Sequence, residues 1–498
     1  MATNPTTMTS SAPRLRRTLT LWDLILYGVI VIQPVAPMSV FGVLSDRGRG
    51  HVVTTILIAM VAMLFTAFSY GRMARAYPSA GSAFTYVGQE INPALGYVTG
   101  WSMVMDYMLN PMICIIWCSQ QAHVFAPGIR YWAWALFFGA VFTFLNIQGI
   151  KTSARVNTLL AAGMGAVVAV FFMAVARYIF RNPHDGGAFF TRPFYDPQLW
   201  NSKAVLAATS IAVLSYIGFD GISTLSEEAE NPRRNILLAT VLTCFVIGIL
   251  SALEVYGAQL LWPATEPFPN VDTAFTFAAG RAWKPLFAIV GFTLLVANFG
   301  SGMGSQIGAA RLLYGMGRSK ALPQSFFGVV DPRRHVPRNN VFFVGAIALA
   351  GALLVSVHVG HSGASLFSYG LGAEMLNFGA LIAFMGVNVA AFVRYYVREG
   401  GNSPVLPLLL TALVIALVLW PGSNWTVLAV AGVCLAILAV LAPPLAGFTI
   451  CFFLWKNLSW KAWIVGGIWM VVGIAFGAVK TRGFRGDLVD FELPPEEA

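Results

Sequence analysis

From residue 21 to residue 479 the chain is a series of apolar runs with short polar segments between them. Many of the runs are close to the roughly 20 residues that cross a lipid bilayer. In hydrocarbon each such run must satisfy its own backbone hydrogen bonds, which makes it a helix. Composition agrees: 57% of residues are hydrophobic and 10% charged, against about 25% charged in soluble domains. The sequence therefore reads as an all-α polytopic membrane protein.

The runs predict spans at 21–44, 51–71, 93–121, 131–149 and 156–180, then at 204–226, 235–262, 283–316, 341–360 and 365–395. A polar stretch, 181–203, separates the two sets of five. Four more apolar stretches follow, at 404–421, 425–442, 443–457 and 461–479, set apart by Pro421-Gly-Ser-Asn424 and Pro443-Pro444. The domain reading is an N-terminal tail (1–20), a first five-helix block (21–180), a second (204–395), C-terminal helices with an extra hairpin (404–479) and a tail (480–498). The first 13 residues are polar and the first apolar run is long, so no cleavable signal peptide is expected.

Arg14 to Arg17 precede the first span, and Lys480, Arg482 and Arg485 follow the last. Positive charge collects on the cytoplasmic side of short loops, so both tails are expected inside a cytoplasmic membrane. That requires an even number of spans and favours fourteen over thirteen. Arg72, Arg75, Lys151, Arg155, Arg233, Arg234, Arg318, Lys320, Arg333, Arg334 and Arg338 fall in loops assigned inside. Arg47, Arg49, Arg177, Arg181 and Arg192 fall outside and blur the contrast. The net charge of +10 is loop charge of this kind and does not point to nucleic acid.

The first span carries Gln33, Pro34 and Pro37 at mid-depth. Proline lacks an N–H and clashes with the preceding turn, so this helix is expected to break. Unpaired backbone in hydrocarbon costs several kcal/mol per group and is tolerated where it lines a cavity. The sixth span repeats the oddity, with Gly218, Asp220 and Gly221 in SYIGFDG (215–221). Interruptions at matching positions of two five-span blocks point to an inverted-repeat secondary transporter with its substrate held at mid-membrane.

Five stretches give a second line of inference: FTAFSYGRMARAYPSAGSAFTYV (65–87), INPALGYVTGWSMVMDYMLNPM (91–112), SYIGFDGISTLSEEAENPRR (215–234), ARLLYGMGRSKALP (310–323) and LNFGALIAF (376–384). They resemble the amino acid–polyamine–organocation permeases, most of all the putrescine importers and related bacterial amino-acid permeases. The resemblance implies a five-plus-five inverted-repeat fold with helices 1 and 6 broken, followed by two further helices. The stretches 404–421 and 425–442 then form an additional hairpin. It also implies alternating-access uptake of an amino acid, with a putrescine-type amine as the alternative. Amino-acid carriers of this family have a Gly-Ser/Thr-Gly run in the first span, and putrescine importers an acid. Here the segment reads Gln-Pro-Val-Ala-Pro-Met-Ser, with Ser39 at the place of the acid, and Met164 stands near a family lysine of the fifth span.

The candidate substrate contacts are Gln33, Ala36, Met38, Ser39, Asp106, Tyr107, Asn110, Tyr216, Phe219 and Asp220. An acid inside a span is expensive and usually functional, so Asp106 and Asp220 are candidate partners for an ammonium, and Asp220 is also a candidate cap of its half-helix. Tyr216 and Phe219 are a candidate aromatic lid. Glu227 and Glu228 are expected to gate with Arg72 or Arg75, Glu374 is a candidate proton carrier, and Ser301 and Ser305 are candidate sodium ligands. Glu254 and Glu374 have no match in the putrescine importers that the chain resembles, and nothing separates Asn298 from packing.

No cofactor or metal site is expected. Cys114 and Cys118 share a helix face, but no His or second Cys pair joins them. The glycines at 300, 302, 304 and 308 lie in an apolar helix without the strand or Lys-Ser/Thr of a nucleotide loop, and close helix packing explains them. The expected partners are a small-molecule substrate, a coupling proton or sodium ion, and the bilayer. Competing classes are a membrane enzyme, which would need a catalytic constellation that the six His do not form, and a transporter-like receptor without net flux.

Overall fold

The computed structural model describes residues 19–77, 82–148, 154–184, 186–226, 229–318, 322–334, 336–356, 358–359, 364–365, 367–399, 403–420 and 425–481. Its fold is all-α apart from a two-residue antiparallel pairing of 358–359 with 364–365.

The first span is two helices. Helix α1 (Leu21–Ile32) starts at a capping box, in which Thr20 accepts from the Asp23 amide and the Asp23 carboxylate accepts from the Thr20 amide at 2.9 Å. It stops at Gln33, whose φ is 70°. Pro34 keeps the residue before it out of the helical region. Helix α2 (Ala36–Arg47) then begins with Pro37 in its first turn, where a missing N–H costs nothing. Of the two prolines, Pro34 ends one helix and Pro37 starts the next.

Next come α3 (Val52–Ala76), the short α4 (Ser82–Glu90), α5 (Pro93–Phe125), α6 (Tyr131–Ile147), α7 (Ala154–Arg181) and the surface turn α8 (Gly187–Thr191). The sixth span starts as α9 (Ser202–Ala212) and tightens into 3₁₀ turns over Val213–Tyr216 and Phe219–Leu225. Between them Ile217 is extended and Gly218 has φ 123°. Only glycine adopts that conformation without strain.

The chain continues through α10 (Pro232–Leu261), α11 (Ala274–Ala282), α12 (Lys284–Arg318), the single turn α13 (Gln324–Phe327), α14 (Arg338–Leu354) and α15 (Tyr369–Phe392). The ninth span ends at Leu354, before the expected 360, with 358–359 in the strand pairing with 364–365, and the tenth starts after Ser368, which caps α15, where 365 had marked its start. A π-helical turn, Val393–Arg398, extends α15. Helices α16 (Val405–Leu419), α17 (Trp425–Leu441), α18 (Pro443–Lys456) and α19 (Trp460–Lys480) complete the chain. Among the described residues, eight helical segments are long and apolar enough to cross a membrane.

Contacts fix the direction of the last helices. The Ser459 amide, at the start of α19, donates to Glu374 at the start of α15 (3.1 Å). Further along, Trp469 stacks on Trp101 at 4.6 Å, and the Tyr97 hydroxyl reaches the Gly473 carbonyl near the start of α5 (3.0 Å). Helix α19 therefore ends on the face where α5 begins. Leu19 bridges Ala229, next to the start of α10, and α10 starts beside the end of α3, where a Cβ on Gly71 would meet Leu237. Tyr77, after α3, bonds Glu90, before α5. Both described ends thus lie on one face, here called the terminal face.

That face carries a buried clasp. The Glu90 carboxylate accepts from Tyr77 (2.7 Å), Arg394 (2.7 Å) and Arg398 (2.9 Å), and the Arg398 guanidinium also reaches the Glu90 carbonyl (2.9 Å). It ties α4 to the π-helical end of α15. Ser82 in turn touches Ser223 at 3.1 Å, linking α4 to the second half of the broken sixth span.

Candidate functional site

The two breaks meet. A Cβ built on Gly218 would lie 3.0 Å from Val31 Cγ1 and 3.2 Å from Ile32 Cγ1. Their tethers differ. Gln33 donates through Nε2 to the Ala297 carbonyl (2.7 Å), and Ser39 accepts from Asn298 Nδ2 (3.0 Å), so the first break is held by adjacent residues of α12. The second is held by its own acid and by α3: Asp220 Oδ1 accepts from the Gly218 amide (3.2 Å), and the Tyr216 hydroxyl donates to the Ile56 carbonyl (2.9 Å). Asp220 therefore folds back on the break, and the segment it begins is 3₁₀, where an α-helical half had been expected.

Few amides remain free in the first break. Pro34 and Pro37 have none, the Gln33 amide donates to Val29 (3.0 Å), Ala36 to the Gln33 carbonyl (3.1 Å) and Met38 to the Val35 carbonyl (3.1 Å). The arrangement does not offer the row of open amides that holds a carboxylate.

The structure brings the acids together instead. Asp106 on α5 and Asp220 are both buried, at 5% and 3% exposure, and within electrostatic range of each other. Tyr107 points its hydroxyl at Asp220, and Tyr70 on α3 lies within range of both acids. Tyr27 on α1 interacts with Tyr107 across the cluster. The Tyr107 ring lies over Gly308 of α12, where a Cβ would sit 3.3 Å from it. Asp106 is pressed against α15: a Cβ on Gly379 would meet the Ser102 carbonyl at 2.4 Å and the Asp106 amide at 3.4 Å. Among the described residues neither acid has an ion-pair partner. Burying ionised groups in low dielectric without compensation is prohibitive, so this geometry is suited to receiving a cation.

The other expected residues are more dispersed. Asn110 accepts from the Cys114 thiol (3.2 Å), one turn from the acid cluster, and Cys114 also bonds Ser301. The Ser305 hydroxyl is taken by the Ser301 carbonyl of its own helix. Ala36 is half-buried and Met38 buried at the start of α2. Tyr216 and Phe219 are fully buried, and Phe219 packs on Tyr70 (5.6 Å) and Phe384 (5.3 Å), so both rings are committed to packing. Glu374 sits at the far face, where it accepts from Ser459 and lies 3.8 Å from Arg47. Arg72 stacks on Tyr395 at 3.7 Å. Glu227 and Glu228 lie outside the described residues.

Sequence reading did not single out Tyr27 or Tyr70. Tyr27 had a positional signal, standing less than two turns before the break at Gln33, whereas nothing near Tyr70 on α3 marks it. Sequence reading also passed over the connector 262–283, which closes the face opposite the termini. There Phe41 of α2 meets Phe268 (5.6 Å) and Phe275 (5.7 Å) edge-on, Arg281 lies 3.8 Å over the Trp262 ring, and Arg281 pairs with Glu266. Hydrogen bonding to Arg281 holds the Glu266 carboxyl below its usual range. On the terminal side α1 is open, with Trp22, Leu26 and Tyr27 exposed, and Gly300 and Gly304 of α12 have nothing within reach of a Cβ.

Comparison with known proteins fits this architecture. The amino acid permease family model matches residues 36–485. The chain is 32% identical over 490 residues to the low-affinity putrescine importer PlaP of Escherichia coli (strain K12), covering 98% of each chain. It is 24% identical over 509 residues to the branched-chain amino acid permease BcaP of Bacillus subtilis (strain 168), covering 95% of each. It is 25% identical to the chloroplastic cationic amino acid transporter 6 of Arabidopsis thaliana, over 79% of this chain and 68% of that one. The chain belongs to the amino acid permease family, as a multi-pass membrane transporter of amino acids or amines.

Proposed function

We propose that the protein imports a diamine of the putrescine type, with the two ammonium ends near Asp106 and Asp220. The observation that carries this reading is the pair of buried, unpaired acids beside a break whose amides are already used. An ammonium set among carboxylates and tyrosine faces gains charge-assisted hydrogen bonds and cation–π contact. A zwitterionic amino acid would need open amides for its carboxylate, as half-helix N-termini supply them, and the tethering of residues 33–38 argues against that. The amino acid expected from the family at large thus becomes the second choice. The putrescine importer similar along nearly the whole chain supports the same preference.

The reading includes alternating access, with the two touching breaks as the central site of an inverted repeat, and net flux in preference to a receptor role. It includes coupling to protons, because acids that hold a cation can hold protons in its absence, while the Ser305 hydroxyl is occupied within its own helix. It places both tails in the cytoplasm, on the arginine distribution.

The test is uptake of labelled putrescine into proteoliposomes under an imposed proton gradient. Accumulation should be competed by cadaverine, survive replacement of sodium, and fall at least tenfold in Asp106→Asn and Asp220→Asn. Accumulation of a neutral amino acid that diamines do not compete would overturn the substrate assignment.

A further inference from the structure

Away from the acid cluster, the ends of α3 and α10 on the terminal face enclose a cleft of about 400 Å³. Three arginines and two leucines line it: Arg75 from the last turn of α3, Arg233 and Arg234 from the first turn of α10, and Leu237 and Leu238 one turn further in. The three arginines are exposed and the leucines half-buried. Among the described residues none of the three guanidinium groups is in an ion pair. Three like charges sharing one small space repel one another, and the acids expected to gate with Arg75, Glu227 and Glu228, lie outside the described residues.

The backbone adds to the charge. Helix α10 is 30 residues long, and its N-cap Asn231 is in the left-handed region and makes no side-chain capping bond. The positive end of a long helix therefore opens into the same cleft. Below it the two helices close tightly, since a Cβ on Gly71 would lie 2.6 Å from Leu237 Cα. The cleft is thus cationic at its mouth and apolar at its floor, at the level where spans leave the bilayer.

We propose that this cleft binds the phosphate headgroup of an anionic phospholipid, with the first carbons of an acyl chain against Leu237 and Leu238. The chemistry shared with a free anion is the phosphate, which arginine holds in bidentate geometry. The lipid is favoured because the leucines extend the site into the hydrocarbon, where a soluble anion gains nothing. Basic pockets between spans bind lipid headgroups in this way. A lipid seated here bridges α3 and α10, the helices that flank the second half of the broken sixth span.

The experiment is a titration of the purified full-length protein with phosphatidylglycerol, read as bound lipid by native mass spectrometry, with phosphatidylcholine and inorganic phosphate as parallel arms. Wild type should bind phosphatidylglycerol well above phosphatidylcholine. Each of Arg75→Gln, Arg233→Gln and Arg234→Gln should weaken binding about fivefold, and the triple variant about a hundredfold. The triple lysine variant should keep most of the preference. If the triple glutamine variant is not monodisperse, the three single variants decide. Unchanged phosphatidylglycerol affinity in all three overturns the site. Displacement of the lipid by millimolar inorganic phosphate would overturn the lipid assignment.

Discussion

The connector 262–283 lies so close to α2 that one methyl group should dislodge it. A Cβ on Gly42 would sit 2.0 Å from the Val271 carbonyl oxygen and 2.5 Å from the Ala274 Cβ. Both neighbours are backbone or bound directly to it, so no side-chain rotation relieves the clash. Gly42→Ala therefore forces the connector outward by an ångström or more. Overpacking of this kind costs about 1–3 kcal/mol, and moving Phe268 and Phe275 from Phe41 forfeits about 0.5–1.5 kcal/mol for each aromatic contact. The same cost need not fall on a conformation in which the connector is already lifted, so the balance between closed and lifted states should shift by about thirtyfold or more. The reporter is a cysteine at buried Ser45, placed in a background whose five native cysteines are replaced. Its labelling by a maleimide from the connector's side should accelerate at least fivefold in Gly42→Ala. An unchanged labelling rate in a folded Gly42→Ala protein would refute the claim that this contact holds the face shut.

Four further outcomes are expected. Burial raises the Asp272 carboxyl, in the connector, to about 6; an acid raised in the docked state favours docking at low pH and loses that contribution as pH rises through 6, so Ser45→Cys labelling, divided by the rate of a free thiol at each pH, should quicken between pH 5 and 7, and Asp272→Asn should flatten that ratio. Glu90→Gln removes an acceptor shared by two half-exposed arginines and a tyrosine, and should cost about 2–4 kcal/mol, read as a lower midpoint in thermal unfolding in detergent; an unaltered midpoint would dismiss the clasp. A cysteine at position 75 should be labelled by an impermeant reagent only after intact cells are opened, and labelling of unbroken cells would reverse the topology. Restoring both backbone donors with Pro34→Ala and Pro37→Ala should let the first span heal into one helix and reduce uptake at normal expression, whereas full uptake would move the site elsewhere.

How much of this was legible in the sequence depends on the kind of signal. Breaks are local chemistry: proline lacks a donor and glycine alone accepts φ 123°, so Pro34 and Gly218 announce their backbone without any neighbour. The identity of Asp106 and Asp220 was equally plain, because an acid in an apolar run has few innocent explanations. That the two share one cluster was not written locally, because it depends on how α5 lies against the broken sixth span, an approach marked by the Tyr107 hydroxyl on Asp220. The lid reading of Tyr216 rested on its place beside a break. The sequence could not say that its hydroxyl is used by the Ile56 carbonyl, 160 residues away.

The tethers also bear on how the site can move. Gln33 and Ser39 are bonded to consecutive residues of α12, Ala297 and Asn298, so the first break must travel with α12 or give up two hydrogen bonds. The second break is fastened elsewhere: Tyr216 to α3, and the Ser210 and Ile211 carbonyls of α9 to Asn377 of α15. Because the breaks touch at Gly218 without a described hydrogen bond between them, parting them costs dispersion contacts and few polar ones. Asp106 lies on α5, which packs against both α12 and α15 through Gly302, Gly308 and Gly379. An ammonium bridging Asp106 and Asp220 would add a second link beside the one that the Tyr107 hydroxyl already makes from α5 to the sixth-span break, which gives the substrate a direct physical means of biasing how the helices separate.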